Sequence, residues 1–289
     1  MQIAAAVTMV RDDPEFLDIW LRYYGGLFGR QALYVINHGQ QDWIKEMAQG
    51  CNIIGIPGFA HKGFDAKRWR LLNHLVQGLR QYHKHVIVGD VDELVLRDPA
   101  LGSLGDFLEE TRKGTVITAF GLELVHRSYE EPAAFTAPIL GGRRFVRVSP
   151  LYTKPCIVSA ATQISRGGHY ATAETLDMPE GLYLFHLKFA DRGLYSRVLD
   201  RRNAVAEATG AERPRDAMIG RHWFAQTRDD SLQFAVIDDA PVSADFDFTA
   251  HRAAMASSWA PRGDDGYWQF DRHDDAQLYE VPERFWRMF

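Results

Sequence analysis

Cysteine is nearly absent: Cys51 and Cys156 are the two thiols in 289 residues. Two cysteines cannot build a disulfide scaffold or a four-cysteine zinc site, and they fit a reducing compartment. Long apolar runs are missing too, since none approaches the roughly 20 residues a membrane helix needs. The segment from Ile3 to Val10 is apolar, but Arg11-Asp12-Asp13 follows it and no basic leader precedes it. That is the reverse of a signal peptide's order. A cytoplasmic protein is expected, with peripheral work at the inner face of a membrane left open. There is no basic excess either. Lys and Arg number 33 against 38 Asp and Glu, a net charge of −5 with a pI near 6.1, which excludes the basic-face class of nucleic-acid binder. No internal repeat or low-complexity tract occurs, and 46% hydrophobic with 25% charged residues is the composition of an ordinary globular chain. The length allows one large domain or two small ones, either able to bury a core.

What is present is an alternation of strand and helix signals, which predicts an α/β domain with a mostly parallel sheet flanked by helices. Ile3 to Val10 reads as a buried first strand. Asp13 and Pro14 then supply a helix start, because proline's missing N–H is not needed in the first turn. Phe16, Ile19, Trp20, Tyr23, Tyr24 and Leu27 follow at helical spacing and Gly29 closes the helix. Strands are expected at Leu33 to Asn37 and Asn52 to Ile56, and a second helix from Asp65 to Tyr82 with Leu71, Leu72, Leu75, Val76 and Leu79 inward. The apolar His85 to Val88 then runs into Gly89-Asp90-Val91-Asp92-Glu93. Ser103 and Asp106 have capping-box spacing, Thr115 to Phe120 is a further strand, and residues 130 to 168 read as loops with short strands. Leu182 to Phe189 is apolar, and Asp191 is placed to cap a helix running through Val205 with its arginines in solvent. Beyond Arg213 the pattern loosens. The expected organisation is a compact domain over 1–190 with a C-terminal extension, 191–289, packed on it.

The strongest chemical signal is the acidic run after Val88. In open α/β sheets ligands gather beyond the carboxyl ends of the strands, and Asp90 and Asp92, two apart, can approach one cation there. Carboxylates of this kind suit Mg²⁺ or Mn²⁺, which commonly also hold substrate phosphates. The alternative is a strand ending in solvated acids. Lys67 and Arg70, near the start of the second helix, are placed where basic side chains and backbone N–H groups meet anions, or else they form a solvated face.

The order of motifs resembles the family-2-like glycosyltransferases of GT-A fold, over roughly residues 1 to 190. The resemblance rests on Val10-Arg11-Asp12-Asp13 followed by Glu15-Phe16-Leu17-Asp18-Ile19-Trp20-Leu21-Arg22-Tyr23-Tyr24, and on Asp90-Val91-Asp92-Glu93-Leu94. Ala119-Phe120-Gly121, Lys154-Pro155, Gly168-His169-Tyr170 and Phe185-His186-Leu187-Lys188 look like later landmarks of that group. Two departures stand out: Tyr24 replaces a more usual histidine, and Asn37-His38-Gly39-Gln40-Gln41-Asp42 replaces a serine-rich loop.

The resemblance implies a metal-dependent enzyme that moves a sugar from a nucleotide-diphosphate donor to a glycan, lipid or other hydroxyl acceptor, with inversion. Asp92 would bind Mn²⁺ or Mg²⁺ and Asp90 the metal or the ribose. His186 would complete metal or phosphate coordination, and Lys188, on the same strand face, would add positive charge. Arg11, Asn37 and Asp42 would border the nucleotide's base and ribose. Inversion also needs a base to deprotonate the acceptor hydroxyl. Glu123, placed just after a Phe120-Gly121 turn, is the first candidate, with His169 and Asp191 behind it. Each of the three is otherwise a surface charge or loop hydrogen-bonder. Trp259, Tyr267 and Trp268 are candidates to stack on a sugar acceptor, or else fasten the extension to its domain. The expected setting is assembly of a surface polysaccharide or similar glycoconjugate.

Three rival readings stand beside this one. A nucleotidyltransferase making sugar nucleotides would share the metal and nucleotide logic but would open with a glycine-rich phosphate loop, whereas Met9-Val10-Arg11-Asp12-Asp13-Pro14 has no glycine. An aspartate-dependent phosphohydrolase would use Asp90 and Asp92 as nucleophile and acid, with Val236-Ile237-Asp238-Asp239 as a late metal-binding strand end. A non-catalytic nucleotide-sugar-binding protein would keep the site without turnover.

Overall fold

The structure, a computed structural model, describes residues 2–58, 64–208, 230–273 and 275–289. The chain runs β1 (Gln2–Val10), α1 (Pro14–Phe28), β2 (Leu33–His38), α2 (Asp42–Met47), β3 (Asn52–Ile56), α3 (Phe64–Leu79), β4 (His83–Val88) and β5 (Glu93–Arg97). It continues with α4 (Leu104–Glu110), β6 (Val116–Val125), β7 (Phe145–Val148), β8 (Lys154–Val158), β9 (Leu182–Phe189), α5 (Arg192–Ala208) and α6 (Asp230–Asp239). Last come β10 (Val242–Ser243), α7 (Thr249–Ser257), β11 (Ala260–Pro261), β12 (Trp268–Gln269) and β13 (Leu278–Glu280).

One large sheet organises these elements in the order β10-β13-β7-β6-β8-β4-β1-β2-β3, with β9 joining through β6 and β5 through β9. The run β4-β1-β2-β3 is parallel, as the strand–helix alternation predicts, while β8 enters antiparallel between β4 and β6. This is a Rossmann-like arrangement with helices on both faces. Strand β1 shows why it forms. Its residues alternate between faces, so Ala4 and Ala6 join the core under Phe16, Trp20 and Tyr24 of α1, and Ala5, Val7 and Met9 join the one under Trp69, Leu72 and Val76 of α3. A strand apolar on both faces is what a sheet covered on both sides requires. Small alanines let both helices approach closely.

Three local expectations change. Strand β6 continues five residues past Phe120, and all ten of its residues are buried. Gly121 therefore makes no turn. It lies under the backbone of Ser149, Tyr152 and Thr153, which a Cβ there would strike. The Val236-Ile237-Asp238-Asp239 segment is the end of helix α6, not a strand end, and Asp238 pairs with Arg192 at 2.7 Å. The arginines of α5 do not all face solvent: Arg201 grips both oxygens of Glu15 on α1, at 3.1 and 2.8 Å.

Residues beyond 190 share the core with those before it. Strand β13 pairs antiparallel with β7, Phe248, Met255, Tyr279, Val281 and Phe285 lie in the same cluster as α1, and Arg284 forks onto Asp98 at 2.7 and 2.8 Å. Arg213 lies outside the described residues. None of the described helices is long and apolar enough to cross a membrane.

Candidate active site

Beyond the carboxyl end of β4, the turn Gly89 to Asp92 carries the chain into β5. Asp90, Asp92 and Glu93 each place a carboxylate oxygen within 4.8 Å of the others, a cluster that can hold a divalent cation. Glu93 is already engaged. Its Oε1 accepts from Lys154 Nζ and its Oε2 from the Asp90 backbone N–H at 3.3 Å, with both side chains of the Glu93–Lys154 pair buried. Asp90 and Asp92 thus remain as the carboxylates of the turn. Arg68, buried on α3, donates to Asp90 Oδ1 and lies 3.6 Å from Asp65 Oδ1.

Sheet register adds a histidine. Strand β9 sits between β5 and β6, so His186 is level with Glu93 on one side and Glu123 on the other, and Glu123 is level with Arg147 across β7. The side chains form a buried line. Asp92 Oδ2 is 3.4 Å from His186 Nε2, and His186 Nδ1 is 2.9 Å from Glu123 Oε1. Arg147 Nε donates to Glu123 Oε2 at 2.6 Å. Tyr152 stacks on the imidazole, with ring centroids 3.6 Å apart and planes at 19°.

The electrostatics follow. Burial works against the ionised form of Asp92, but His186, Arg202 and Lys154 outweigh it and hold its carboxyl well below the usual range. Burial likewise opposes ionisation of Glu123, yet its bonds from His186 and Arg147 hold it down at about 2. His186 is lowered by burial and raised more strongly by Asp92 and Glu123, for a net rise. Asp13 behaves oppositely. Burial pushes its carboxyl up to about 6 and Asp92 adds to this, while Arg202 opposes. As the N-cap of α1 its side chain makes no capping hydrogen bond.

This geometry tests whether a metal fits. With Nδ1–H given to Glu123, His186 turns Nε2, an acceptor in the neutral ring, toward the Asp92 carboxylate. Two acceptors facing each other require a cation between them, either a proton or a metal ion. Metal-ligating histidines characteristically donate their second nitrogen to a carboxylate in this way, beside an acidic cluster that can hold a divalent cation.

The remaining sequence candidates lie elsewhere or hold structural partners. Helix α3 presents Arg68 inward, while Lys67 and Arg70 are exposed on its outer side. Asn37 is fully buried and clasps its own loop, exchanging 2.8 Å hydrogen bonds with the Gln41 backbone. Asp42 is exposed and paired with Lys45 at 2.8 Å. Arg11 pairs with neighbouring Asp12 at 3.2 Å, and Asp12 is tied to Gln41, which joins the β1–α1 and β2–α2 loops. Lys188 Nζ lies over the rings of Phe189 and Tyr195, at 5.0 and 5.7 Å. Asp191 caps α5 through the Leu194 N–H at 2.7 Å and receives Arg143 at 2.9 Å. His169 bonds the Leu151 carbonyl through Nδ1 at 2.9 Å, on the wall of a neighbouring cleft.

Sequence reasoning missed Arg68, Arg147, Tyr152 and Arg202 as site residues. Only Arg68 had a local signal: with Phe64, Leu72 and Val76 it follows a four-residue spacing down the buried face of α3. The other three depend on pairings distant in sequence.

Fold and site together define a Rossmann-like α/β protein with a metal-competent acidic centre at a strand end, flanked by the buried cations Arg68 and Lys154. No model of a known protein family matches the chain, and none of the curated proteins does. Among solved structures it is similar to a mannose-1-phosphate geranyltransferase from Thermus thermophilus, at 12% sequence identity and a TM-score of 0.31, over 75% of this chain and 67% of that one. The functional reading therefore rests on the geometry above.

Proposed function

We propose that the chain is a GT-A-like glycosyltransferase, moving a sugar with inversion from a nucleotide-diphosphate donor to a hydroxyl acceptor. The observation that carries this reading is the Asp92–His186–Glu123–Arg147 line, with its 3.4 and 2.9 Å contacts, at the ligand-binding end of β4. Asp90, Asp92 and His186 would hold Mn²⁺ or Mg²⁺. Such an ion, when bound, supplies charge neutralisation for a departing diphosphate. The chain's own residues do the rest. Glu123 and Arg147 fix the imidazole, Tyr152 keeps it in plane, and Arg68, Arg202 and Lys154 place positive charge around the acids where an anionic leaving group would sit.

Of the three candidate bases, Glu123 has its oxygens on His186 and Arg147, and Asp191 has its own on the α5 cap and Arg143. His169 fits the role better. It bonds the Leu151 carbonyl through Nδ1 and lies on a cleft wall where an acceptor can enter. In this reading residues 1–190 bind the donor and the C-terminal part faces the acceptor. The work would take place in the cytoplasm, at the inner face of a membrane where a glycoconjugate is assembled.

Calorimetry with a panel of nucleoside diphosphates, with and without Mn²⁺, tests the proposal on wild type and Asp92→Ala. The expected result is manganese-dependent binding of one nucleotide, lost in the variant, followed by sugar transfer from its sugar conjugate. Nucleotide binding without any transferred product would favour a binding protein. Absence of nucleotide binding would overturn the assignment.

A further inference from the structure

A second concavity lies among residues other than those of the acidic centre. It is a solvent-open cleft whose wall includes Thr153, His169, Tyr170, Trp259, Phe270 and Arg272. The cleft and the centre share two chain segments. Thr153 lies between Tyr152, stacked on His186, and Lys154, bonded to Glu93. His169 follows Gly168, whose left-handed backbone (φ +75°) passes against the Trp69 ring, next to Arg68 on α3. Pro155, on the cleft wall, and Lys154, bonded to Glu93, are successive in β8 and point to opposite faces of it, so the two sites are joined through backbone.

The wall has a definite chemistry. Trp259 and Phe270 are tilted neighbours, with centroids 6.2 Å apart and planes at 30°. Trp259 is fixed from two sides: Trp268, which does not line the cleft, stacks on it at 6.0 Å, and its indole N–H donates to the Glu174 carbonyl at 2.7 Å. Tyr170 is held by Arg272, which donates to its hydroxyl at 2.7 Å. Rigid aromatic faces beside hydroxyl, imidazole and guanidinium groups match one ligand class well. A pyranose ring offers a face of polarised C–H bonds to the electron-rich aromatic faces and a rim of hydroxyls to the polar groups. A lipid tail would leave those polar groups without partners, at a desolvation cost.

We propose that this cleft is a saccharide-binding subsite, and that the acceptor of the proposed reaction is a glycan whose terminal sugar rests on Trp259 and Phe270. The acceptor role rests on the glycosyltransferase reading; saccharide binding does not. The first test is retention of the full-length protein on an array of immobilised glycans, with tryptophan fluorescence titrations of the glycans retained. We expect a related set of glycans to be retained, with affinity about tenfold weaker in Trp259→Ala and Phe270→Leu. Arg272, exposed on the rim, supplies a variant, Arg272→Ala, that weakens the same glycans without touching the core. Nucleotide calorimetry on the same variants, with Mn²⁺, separates the two proposals. Glycan binding without nucleotide binding keeps the cleft and removes the transferase. Nucleotide binding with no glycan retained, or glycans retained equally by all three variants, overturns the cleft.

Discussion

His186 and Glu123 face each other across adjacent strands, with Nδ1 of one 2.9 Å from Oε1 of the other, and both are buried. The pair comes from register alone, because β6 and β9 run parallel with these two residues level. The carboxylate selects the tautomer and raises the basicity of the ring, so Glu123 acts on whatever His186 Nε2 binds.

Glu123→Gln is therefore expected to weaken Mn²⁺ affinity about 10- to 100-fold while the fold persists. The amide still accepts from Nδ1, but it no longer carries the charge that raises the imidazole. A calorimetric Mn²⁺ titration, with circular dichroism as the control for folding, is the check. Unchanged affinity would remove His186 from the proposed ligand set.

Glu93 and Lys154 form a buried pair on β5 and β8, and losing one partner strands the other charge. Lys154→Met should cost about 3–5 kcal/mol in denaturant unfolding. The double variant Lys154→Met with Glu93→Gln should recover much of that loss, because the uncompensated charge is then gone. A full loss in the double variant would show that packing, rather than charge, sets the cost.

How much was legible in the sequence differed by element. Strand β3 falls on Asn52–Ile56 and β9 on Leu182–Phe189 as the apolar runs indicate, and the Ser103–Asp106 capping box forms in both directions. These are local signals, complete within a few residues. The acidic cluster was legible for the same reason, since Asp90 and Asp92 follow one strand directly. Glu123 reads from the sequence as a candidate base beside a turn at Gly121, whereas it lies inside β6 with its carboxylate on His186 and Arg147. The reason for that glycine is close approach by residues 149–153, which no window around Gly121 contains. Arg147 owes its role to a strand pairing and Tyr152 to the turn between β7 and β8, in a segment with little periodicity of its own. In α3 a buried arginine interrupts the apolar pattern it belongs to, so sequence alone does not separate Arg68 from exposed Lys67 and Arg70.

Stability should fall on mild acidification through buried histidines. Burial lowers the folded-state pKa of both His83 and His85 below the ordinary 6.5. The unfolded chain then binds protons first, so stability is full above 6.5 and declines as pH falls below it, at no more than about 1.4 kcal/mol per pH unit per histidine. His186, raised in the folded state, works in the opposite window: its contribution is complete below 6.5 and is lost as pH rises through its folded value. Asp92 and Glu123, held low, are lost only under stronger acid. Asp13, near 6, takes up a proton in the folded state and opposes the decline. The difference between wild type and His85→Leu isolates one term. Urea midpoints measured from about pH 7.5 to about pH 5.5 should fall more steeply in wild type, and equal slopes would refute the assignment.

Gly121 gives the sharpest link between backbone packing and the site. A methyl group at this position would meet the carbonyl carbon of Tyr152, the backbone N of Thr153 and the carbonyl oxygen of Ser149. None of these is a flexible side-chain end, so the loop itself must move. The same loop is pinned there by the Ser149 N–H, which donates to the Gly121 carbonyl at 2.9 Å, and by Thr153 Oγ1, which accepts from the Gly121 N–H at 2.9 Å. Gly121→Ala is expected to cost about 1–3 kcal/mol, the usual range for overpacking. It should also lift Tyr152 off the His186 ring and shift Thr153 at the cleft wall. Mn²⁺ affinity and glycan retention should then weaken together, although neither ligand touches residue 121. A variant that unfolds more easily but keeps both affinities would show that the loop gives way without disturbing Tyr152, and would uncouple the two sites.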